Sequence, residues 1–407
     1  MKILLHDYSG HPFQAELSAE LAGRGHEVTH SYNASYVSGK GGLSEQDTVP
    51  GLHVEALSMS QEFAKYRPWT RLRQEVTYAR TLLRHVRAQR PDLVVVCNVP
   101  LLCHFLFALV QRRVPMVFWQ QDVYSQAIGR ELVRRLGPAG RPIAALADRM
   151  ERFVVQRSAA TVVIASTFLP VHERWGTAGD VVVIPNWAPV GELEPRDKDN
   201  AWSRSHSLQD RPVLLYSGTL GLKHDPSLLV ELAALVRADV PDAVLVVVSQ
   251  GDGADLVRAS TAAGEALVLP FQPFEDLPEV LGSADVLVTL LEPHASLYSV
   301  PSKTLSYLCA GRPVLGLMPA DNPASELVRA AGGVVHTPVR AELPEAAASV
   351  VALLRDPTRR RAIGTTSRRL AEEQFAIAAI GDRFERVLSR AARQVAAAPV
   401  PAVGGRR

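Results

Sequence analysis

The chain is poor in sulfur, in aromatic residues and in net charge, and each shortage narrows what it can be. Its 407 residues include only three cysteines, Cys97, Cys103 and Cys309, all inside apolar strand or helix patterns and none at metal-ligand spacing. A disulfide scaffold and a thiolate metal centre are thereby excluded, and buried reduced thiols in a cytoplasmic protein are expected. A formal charge of +2 gives no reason to expect nucleic acid as a partner. The opening "MKILLHD" turns polar at once and reads as a first strand, not a secretory leader. No stretch reads as a membrane span. The most lipid-like window, Leu93 to Val110, is interrupted by Asn98, Pro100 and His104 and passes from β-branched to helix-like, so it reads as strand, turn and buried helix. A GxGxxG fingerprint is missing, which leaves a nicotinamide cofactor without support. No acidic pair or His/Cys cluster stands at ligand spacing, so neither a metal nor any other cofactor is expected.

What the chain does have is alternation. Strand patterns at Ile3–His6, Glu27–His30, Leu93–Cys97, Pro115–Trp119 and Val181–Asn186 are separated by helical periodicity, as at Pro12–Arg24. Near-continuous Val/Ile/Leu strands between helices argue for a parallel sheet covered on both faces. The pattern collapses in "PVGELEPRDKDNAWSRSHSLQDR", then restarts with "VLLYSG", the helix Pro226–Ala238, "VLVVVSQG", "LVLPF" and "VLVTLL". The length suits two such halves. We therefore expect an α/β protein with one domain over 1–190, a linker over 191–211 and a second domain over 212–375. A C-terminal helix over 376–395 and a disordered tail over 396–407 would complete it.

In doubly wound sheets, ligands bind where strand carboxyl ends run into helix N-termini. One such loop is "HDYSGHPF", with Asp7, Gly10 and His11; another is "YSGTLGLKHD", with Gly218, Thr219 and Lys223. Small residues and a lysine before a helix suit a diphosphate, although a Gly-bearing turn with a solvated lysine carries the same pattern. A third is "SVPSKTLSYLCAGRPVLG", where Pro301 would begin a helix, Ser302 and Lys303 would line its mouth and Gly311 would end it. By itself this is an ordinary capped surface helix. With the Lys223 loop, two cation-bearing turns of one domain could converge on one diphosphate.

At this point the sequence resembles a known family. "YSGTLGLKHD", "LPFQPFEDLPEVLGSADVLVTLL", "PSKTLSYLCAGRPVL" and "ASELVRAAGGVV" occur in the order seen in family-four nucleotide-sugar-dependent glycosyltransferases. "ILLHDYSGHPF", "LAGRGHEV", "FWQQDVYS" and "IPNW" extend the resemblance through the first half, to about residue 375 overall. The nearest branch by resemblance is the WbuB-like bacterial enzymes of surface polysaccharide assembly. The resemblance implies the GT-B fold, two Rossmann-like domains facing each other across a cleft. It also implies a retaining transfer from a nucleoside-diphosphate sugar to a saccharide or lipid-linked acceptor. Lys223 would contact the donor diphosphate beside the backbone N–H groups of Gly218 and Thr219, and Gly10 would let the first loop approach it. Phe271 and Gln272 would hold the base, and Ser302 and Lys303 would meet phosphate or sugar. Many members carry two glutamates eight apart; here those positions are Tyr298 and Ser306. Glu326 is the best remaining acid for the ribose, and an acidic residue in a first helical turn is also accounted for by the helix dipole.

Retaining transfer leaves the protein mainly to position the sugar and stabilise charge on the leaving diphosphate. Asp122, just after the strand "PMVFW", is the candidate orienting base, with His11 and Asp7 as further acceptor-side candidates. Loop capping would explain these three polar residues equally well. A basic stretch from Pro68 to Arg90 predicts a helix with Trp69, Leu72, Val76, Ala79, Leu83 and Val86 on one face. That helix is either core-facing with a solvated charged surface or a peripheral contact with anionic lipid on the inner membrane face. Two other functions stay open because the acid pair is missing: a catalytically silent nucleotide-binding relative, and an epimerase on the same fold.

Overall fold

The computed structural model describes residues 1–35, 49–58, 68–177, 179, 181–221, 224–297 and 300–396. Lys223, Tyr298 and the tail 397–407 lie outside the described residues. The chain divides into two compact units, one formed by 1–38, 43–185 and 378–407, the other by 39–42 and 186–377.

The first unit is built on a parallel sheet of β1 (Lys2–Asp7), β2 (Glu27–Asn33), β3 (Leu52–Leu57), β4 (Leu93–Cys97), β5 (Met116–Gln120), β6 (Ala160–Val163) and β7 (Val181–Val183). Its spatial order is β3-β2-β1-β4-β5-β6-β7. β1 and β4 are near-continuously apolar and wholly buried except at the first residue of β1, as expected of strands covered on both faces. Chain order reverses between β1 and β4, which pair Ile3 with Leu93 through Asp7 with Cys97. Two helices that the sequence reading left uncalled, Tyr124–Leu136 and Arg141–Arg157, form a hairpin between β5 and β6.

The second unit holds β8 (Val213–Ser217), β9 (Val244–Val248), β10 (Ala266–Leu269), β11 (Val286–Leu290), β12 (Val314–Leu317) and β13 (Val334–His336). Their order is β10-β9-β8-β11-β12-β13, so the reversal falls between β8 and β11. All registered neighbours in both sheets are parallel, and the right-handed connections that such strands favour place helices on both faces when the strand order reverses.

The charged stretch expected to be a featureless linker carries a short helix, Ala201–Ser205. Asn200 and Ser203 close a capping box at its start, and Trp202 is buried. Lys198, Arg360 and the Val213 N–H all converge on the buried Asp285 carboxylate, which ties this segment, the helix Pro357–Gln374 and β8 together. The Arg-rich tail is two helices, Pro357–Gln374 and Ile377–Ala396, separated at Phe375. The second packs on the first unit. Its Phe384 ring lies 4.6 Å from that of Trp119, and Arg24 reaches Asp382 at 2.6 Å and Glu385 at 2.9 Å.

The predicted basic helix is present over Pro68–Gln89, but its buried face is not the one read from the sequence. Tyr78, Leu82, His85 and Val86 are buried, whereas Leu72 is 42% exposed and Val76 and Leu83 are half-buried. Ala79 and Val86 belong to both faces. The sequence-read stripe is rotated because Tyr78 and His85 were not counted as core residues. All three cysteines are buried and free, as expected.

Burial leaves several histidines neutral. It lowers His6 to about 3, His104 to about 3 and His30 to about 4, from an ordinary value of 6.5. The unfolded chain takes up these protons near the ordinary value and the folded chain does not, so stability falls as pH drops from there toward the folded values. His11, with a raised pKa, works in the opposite sense. Chemical denaturation at about pH 7 and about pH 5 will show a lower unfolding free energy at the lower pH, with each buried histidine adding up to about 1.4 kcal/mol per pH unit. Equal stability at the two values would refute this.

Candidate functional site

In the second unit, β8 ends at Ser217 and the chain turns at Gly218, whose φ of 137° is a backbone state that side-chain-bearing residues rarely adopt. A Cβ at Gly218 would lie 2.8 Å from Lys303 Cε, so the missing side chain also makes room for the lysine stem. The Lys303 ammonium sits 4.3 Å from the centroid of the Tyr216 ring and 2.5 Å from its hydroxyl. Tyr216 in turn donates to the Thr219 carbonyl at 2.8 Å. Lys303 opens the helix Lys303–Cys309 that follows β11, and Tyr307 lies one turn further on the same helix. The Tyr307 hydroxyl accepts from Ser217 N at 2.9 Å and faces Ser217 O at 3.2 Å, locking this helix to the β8 loop. Burial pushes both phenols above their ordinary pKa, so both stay protonated at neutral pH.

The remaining candidates of this unit occupy neighbouring carboxyl-end loops. Thr219 and Ser302 are exposed, and Ser306 is half-buried between Lys303 and Tyr307. Pro301 stands one residue before the N-cap position Ser302 and not inside the helix, and Gly311 follows its end with φ 62°. Phe271 and Gln272 are half-buried after β10. The Gln272 side chain accepts from Trp202 Nε1 at 3.2 Å and donates to Pro270 O at 3.0 Å, so its own amide is already engaged. Glu326 is in the first turn of the helix Pro323–Ala330 after β12, whose N-cap is Asn322. Gly253, unremarked in the sequence, brings the loop after β9 so close to the β8 loop that a Cβ there would lie 2.5 Å from Leu220 O.

In the first unit, two of the three acceptor-side candidates, Asp7 and His11, lie at the β1/β4 reversal, whereas Asp122 follows the neighbouring strand β5. Asp7 is fully buried and accepts from Ser9 N, from His11 N and, at 2.8 Å, from Asn98 Nδ2. Burial pushes its carboxyl up, but the hydrogen bonds from His11 and Asn98 outweigh that and hold it below the ordinary value. His11 Nδ1 lies 3.6 Å from Asp7 Oδ2 and 3.2 Å from Asn98 Nδ2. Burial opposes charge on His11, yet Asp7, with a smaller contribution from Asp122, raises its pKa above the ordinary value. Gly10, at φ 74°, turns the loop between them. Asn98 itself has φ 56°, a strained state for a residue with a side chain, and its amide contacts Asp7, His11 and Gln14.

The Asp122 loop is fixed by a group that sequence reasoning missed. Glu151, buried on the helix Arg141–Arg157, accepts from Tyr124 N at 3.1 Å, Ser125 N at 2.7 Å and Gln120 Nε2 at 2.9 Å. These contacts satisfy the start of the helix that follows Asp122. Neither Asn98 nor Glu151 had a pattern around it. Asn98 could have been suspected from its place between a strand and Pro100, whereas Glu151 looks like any charged helix residue. His336 at the end of β13, with Glu342 and Glu345 beyond it, brings ligand-capable atoms within 4.8 Å of one another. His336 there faces Glu342 at 3.7 Å and Ser349 at 3.1 Å, which accounts for its ring.

Two parallel-sheet units, each with its polar cluster at the point of chain reversal, are the GT-B fold of glycosyltransferases. The family model "Glycosyl transferase 4-like domain" matches residues 11–187, and "Glycosyl transferases group 1" matches residues 198–370. Together they span most of the chain, which belongs to the family-four type of glycosyltransferases that they describe. Among solved structures, HepE of Anabaena in complex with UDP and glucose is similar with a TM-score of 0.70 at 16% identity, covering 96% of this chain and 99% of that one. Sucrose-phosphate synthase from Thermosynechococcus elongatus gives a TM-score of 0.70 at 15% identity over 97% and 99% of the two chains. A glycosyltransferase from Rickettsia africae gives 0.61 at 12% identity over 98% and 99%. No curated protein matches the chain.

Two substitutions probe this geometry. Gly218→Ala will cost about 1–3 kcal/mol in urea unfolding, because alanine must adopt a backbone state that side-chain-bearing residues rarely take, while the end of Lys303 can move aside; an unchanged midpoint would show that the loop is not held as described. Asp7→Asn will lower the pKa of His11, read by NMR titration of its ring. A His11 pKa that does not move would mean that Asp7 is not its main partner.

Proposed function

We propose that the protein is a retaining glycosyltransferase that moves a sugar of hexose type from a nucleoside diphosphate to a saccharide or lipid-linked acceptor in bacterial polysaccharide or glycan assembly. The observation that carries this reading is the contact of Lys303 with Tyr216 and Gly218 at the β8/β11 reversal. It offers a cation fixed by a phenol ring beside a glycine-bearing turn at one strand end, an arrangement suited to a diphosphate. In this reading Lys303 and Lys223 take up the charge that develops on the leaving diphosphate, with the N–H group of Thr219 and the hydroxyl of Ser302 beside them; the Gly218 N–H, expected from the sequence to share this task, donates instead to Val248 O at 3.0 Å. Phe271 and the backbone at Gln272 hold the base. Glu326 serves the ribose, and the Ser306 hydroxyl serves the sugar in place of a carboxylate. On the acceptor side Asp122 and His11, the latter held by Asp7, orient the incoming hydroxyl. The acceptor oxygen bonds to the anomeric carbon as the bond to diphosphate breaks, and the hydroxyl proton leaves with the acceptor-side groups or the diphosphate. No metal takes part in this scheme. The protein works at the cytoplasmic face of the membrane when its acceptor is lipid-linked; among the described residues no helix is long and apolar enough to cross one.

HepE is solved with UDP-glucose, so uridine nucleotide sugars are the first donors to test. Release of nucleoside diphosphate from the matching sugar will fall about 100-fold or more in Lys303→Ala and in Lys223→Ala, and a chelator will leave it unchanged. Full activity in both variants would overturn the assignment of the donor site. Ser306, standing where many relatives carry a glutamate, favours a second reading: a silent relative would bind nucleotide tightly with no turnover of any donor. An epimerase would isomerise the sugar without acceptor.

A further inference from the structure

The hairpin formed by Tyr124–Leu136 and Arg141–Arg157 exposes four large apolar side chains near its turn. Its two helices pack closely: a Cβ at Gly129 would lie 3.2 Å from Ala144 Cβ, and one at Gly140 would lie 2.5 Å from Leu132 O. Having buried their facing sides, the helices leave large apolar side chains in water around the turn at 137–140. Val133 is 38% exposed, Leu136 51%, Ile143 48% and Leu146 55%. Val133 and Leu136 are three apart on one helix, and so are Ile143 and Leu146 on the other, so each pair lies on one helix face. Arg130, Arg134, Arg135, Arg141 and Arg149 are exposed around them. The nearby acids are already engaged: Glu131 by Arg134 and Arg135, and Asp148 by Arg174 and Trp175. Soluble surfaces rarely keep several large apolar side chains together in water without a use for them.

We infer that the tip of this hairpin is a peripheral docking surface for an anionic lipid bilayer, with Leu136, Ile143 and Leu146 entering the headgroup boundary and the arginines meeting lipid phosphate. An exposed apolar row ringed by cations is the chemistry of an interfacial helix. A second copy of this chain is a poorer occupant, because a symmetric contact would bring the arginines of the two tips together. The helix Pro68–Gln89 has exposed Arg73, Arg80, Arg84 and Arg87, but Leu72 is its only large apolar residue exposed in this way among those described. It therefore offers charge without a row to insert.

The inference extends the lipid-linked form of the acceptor proposed above, and its test is read apart from turnover. Sedimentation with phosphatidylglycerol-rich vesicles will carry the wild-type protein down, with phosphatidylcholine vesicles carrying far less, and added salt will weaken the binding. The variant Leu136→Ser, Ile143→Ser, Leu146→Ser will bind more than about tenfold more weakly, and so will Arg141→Glu, Arg149→Glu, whose apolar row is intact. Arg80→Glu, Arg84→Glu, Arg87→Glu will stay within about twofold of wild type. Failure of the wild-type protein to bind, binding at the wild-type level by either tip variant, or a solution dimer that the serine variant dissociates would overturn the docking surface. Donor turnover in vesicle-free solution is measured alongside. Its persistence with failed docking removes only this inference, and its absence with docking intact removes only the transferase reading.

Discussion

Every functional candidate in this protein lies at or just beyond the carboxyl end of a parallel strand, and strand order decides which of those ends stand apart. A right-handed connection places successive helices on one face of a sheet, and only a reversal of strand order lets the chain cover the other. Each reversal parts the loops of two adjacent strands and leaves a crevice at their carboxyl ends. The chain does this once between β1 and β4 and again between β8 and β11. Asp7, His11 and Asn98 lie at the first reversal and Thr219, Ser302 and Lys303 at the second, while Asp122, Gln272 and Glu326 follow neighbouring strands.

The two clusters handle charge differently. At the β8 loop the cation is half-solvated and supported by a phenol ring, with a second phenol fixing the helix that carries it. An arrangement of that kind suits a ligand that brings its own negative charge. At the β1 loop the charge is internal: a buried carboxylate is satisfied by backbone N–H groups, by Asn98 and by His11. Burying Asp7 is tolerable only because those donors are all present, since an unpaired buried carboxylate would neutralise instead. The strain at Asn98 is held in place by the same network. Glu151 does equivalent work one strand away, fixing the helix start behind Asp122.

Much of this was legible beforehand. Val/Ile/Leu runs such as "LVVVC" and "VLVVV" predicted buried parallel strands because a strand covered on both faces has no polar side to show. Gly10, Gly218 and Gly311 were readable as turning points, and all three have positive φ. The basic helix at 68–89 was found, but its inward face was misjudged, because Tyr78 and His85 are amphipathic and their burial depends on the neighbours they meet. β3 and the hairpin 124–157 were not called. The hairpin's apolar residues do not all face a core, so the periodicity that marks a buried stripe is blurred. Trp202 shows the same limit: inside a charged, Pro-rich stretch nothing local signals that its ring is buried and its N–H bound to Gln272.

The sequence by itself determined the class of fold, the two-part organisation and which loops could carry chemistry, because these follow from short-range periodicity and from residues with restricted backbones. Tertiary structure decided which of those residues meet. Lys303 lies on Tyr216 across 87 positions of chain, and Asn98 reaches Asp7 across 91. It also returned the last helix to the unit in which the chain begins. Such contacts are fixed by strand order and packing summed over a whole sheet, and no local pattern of residues encodes that sum.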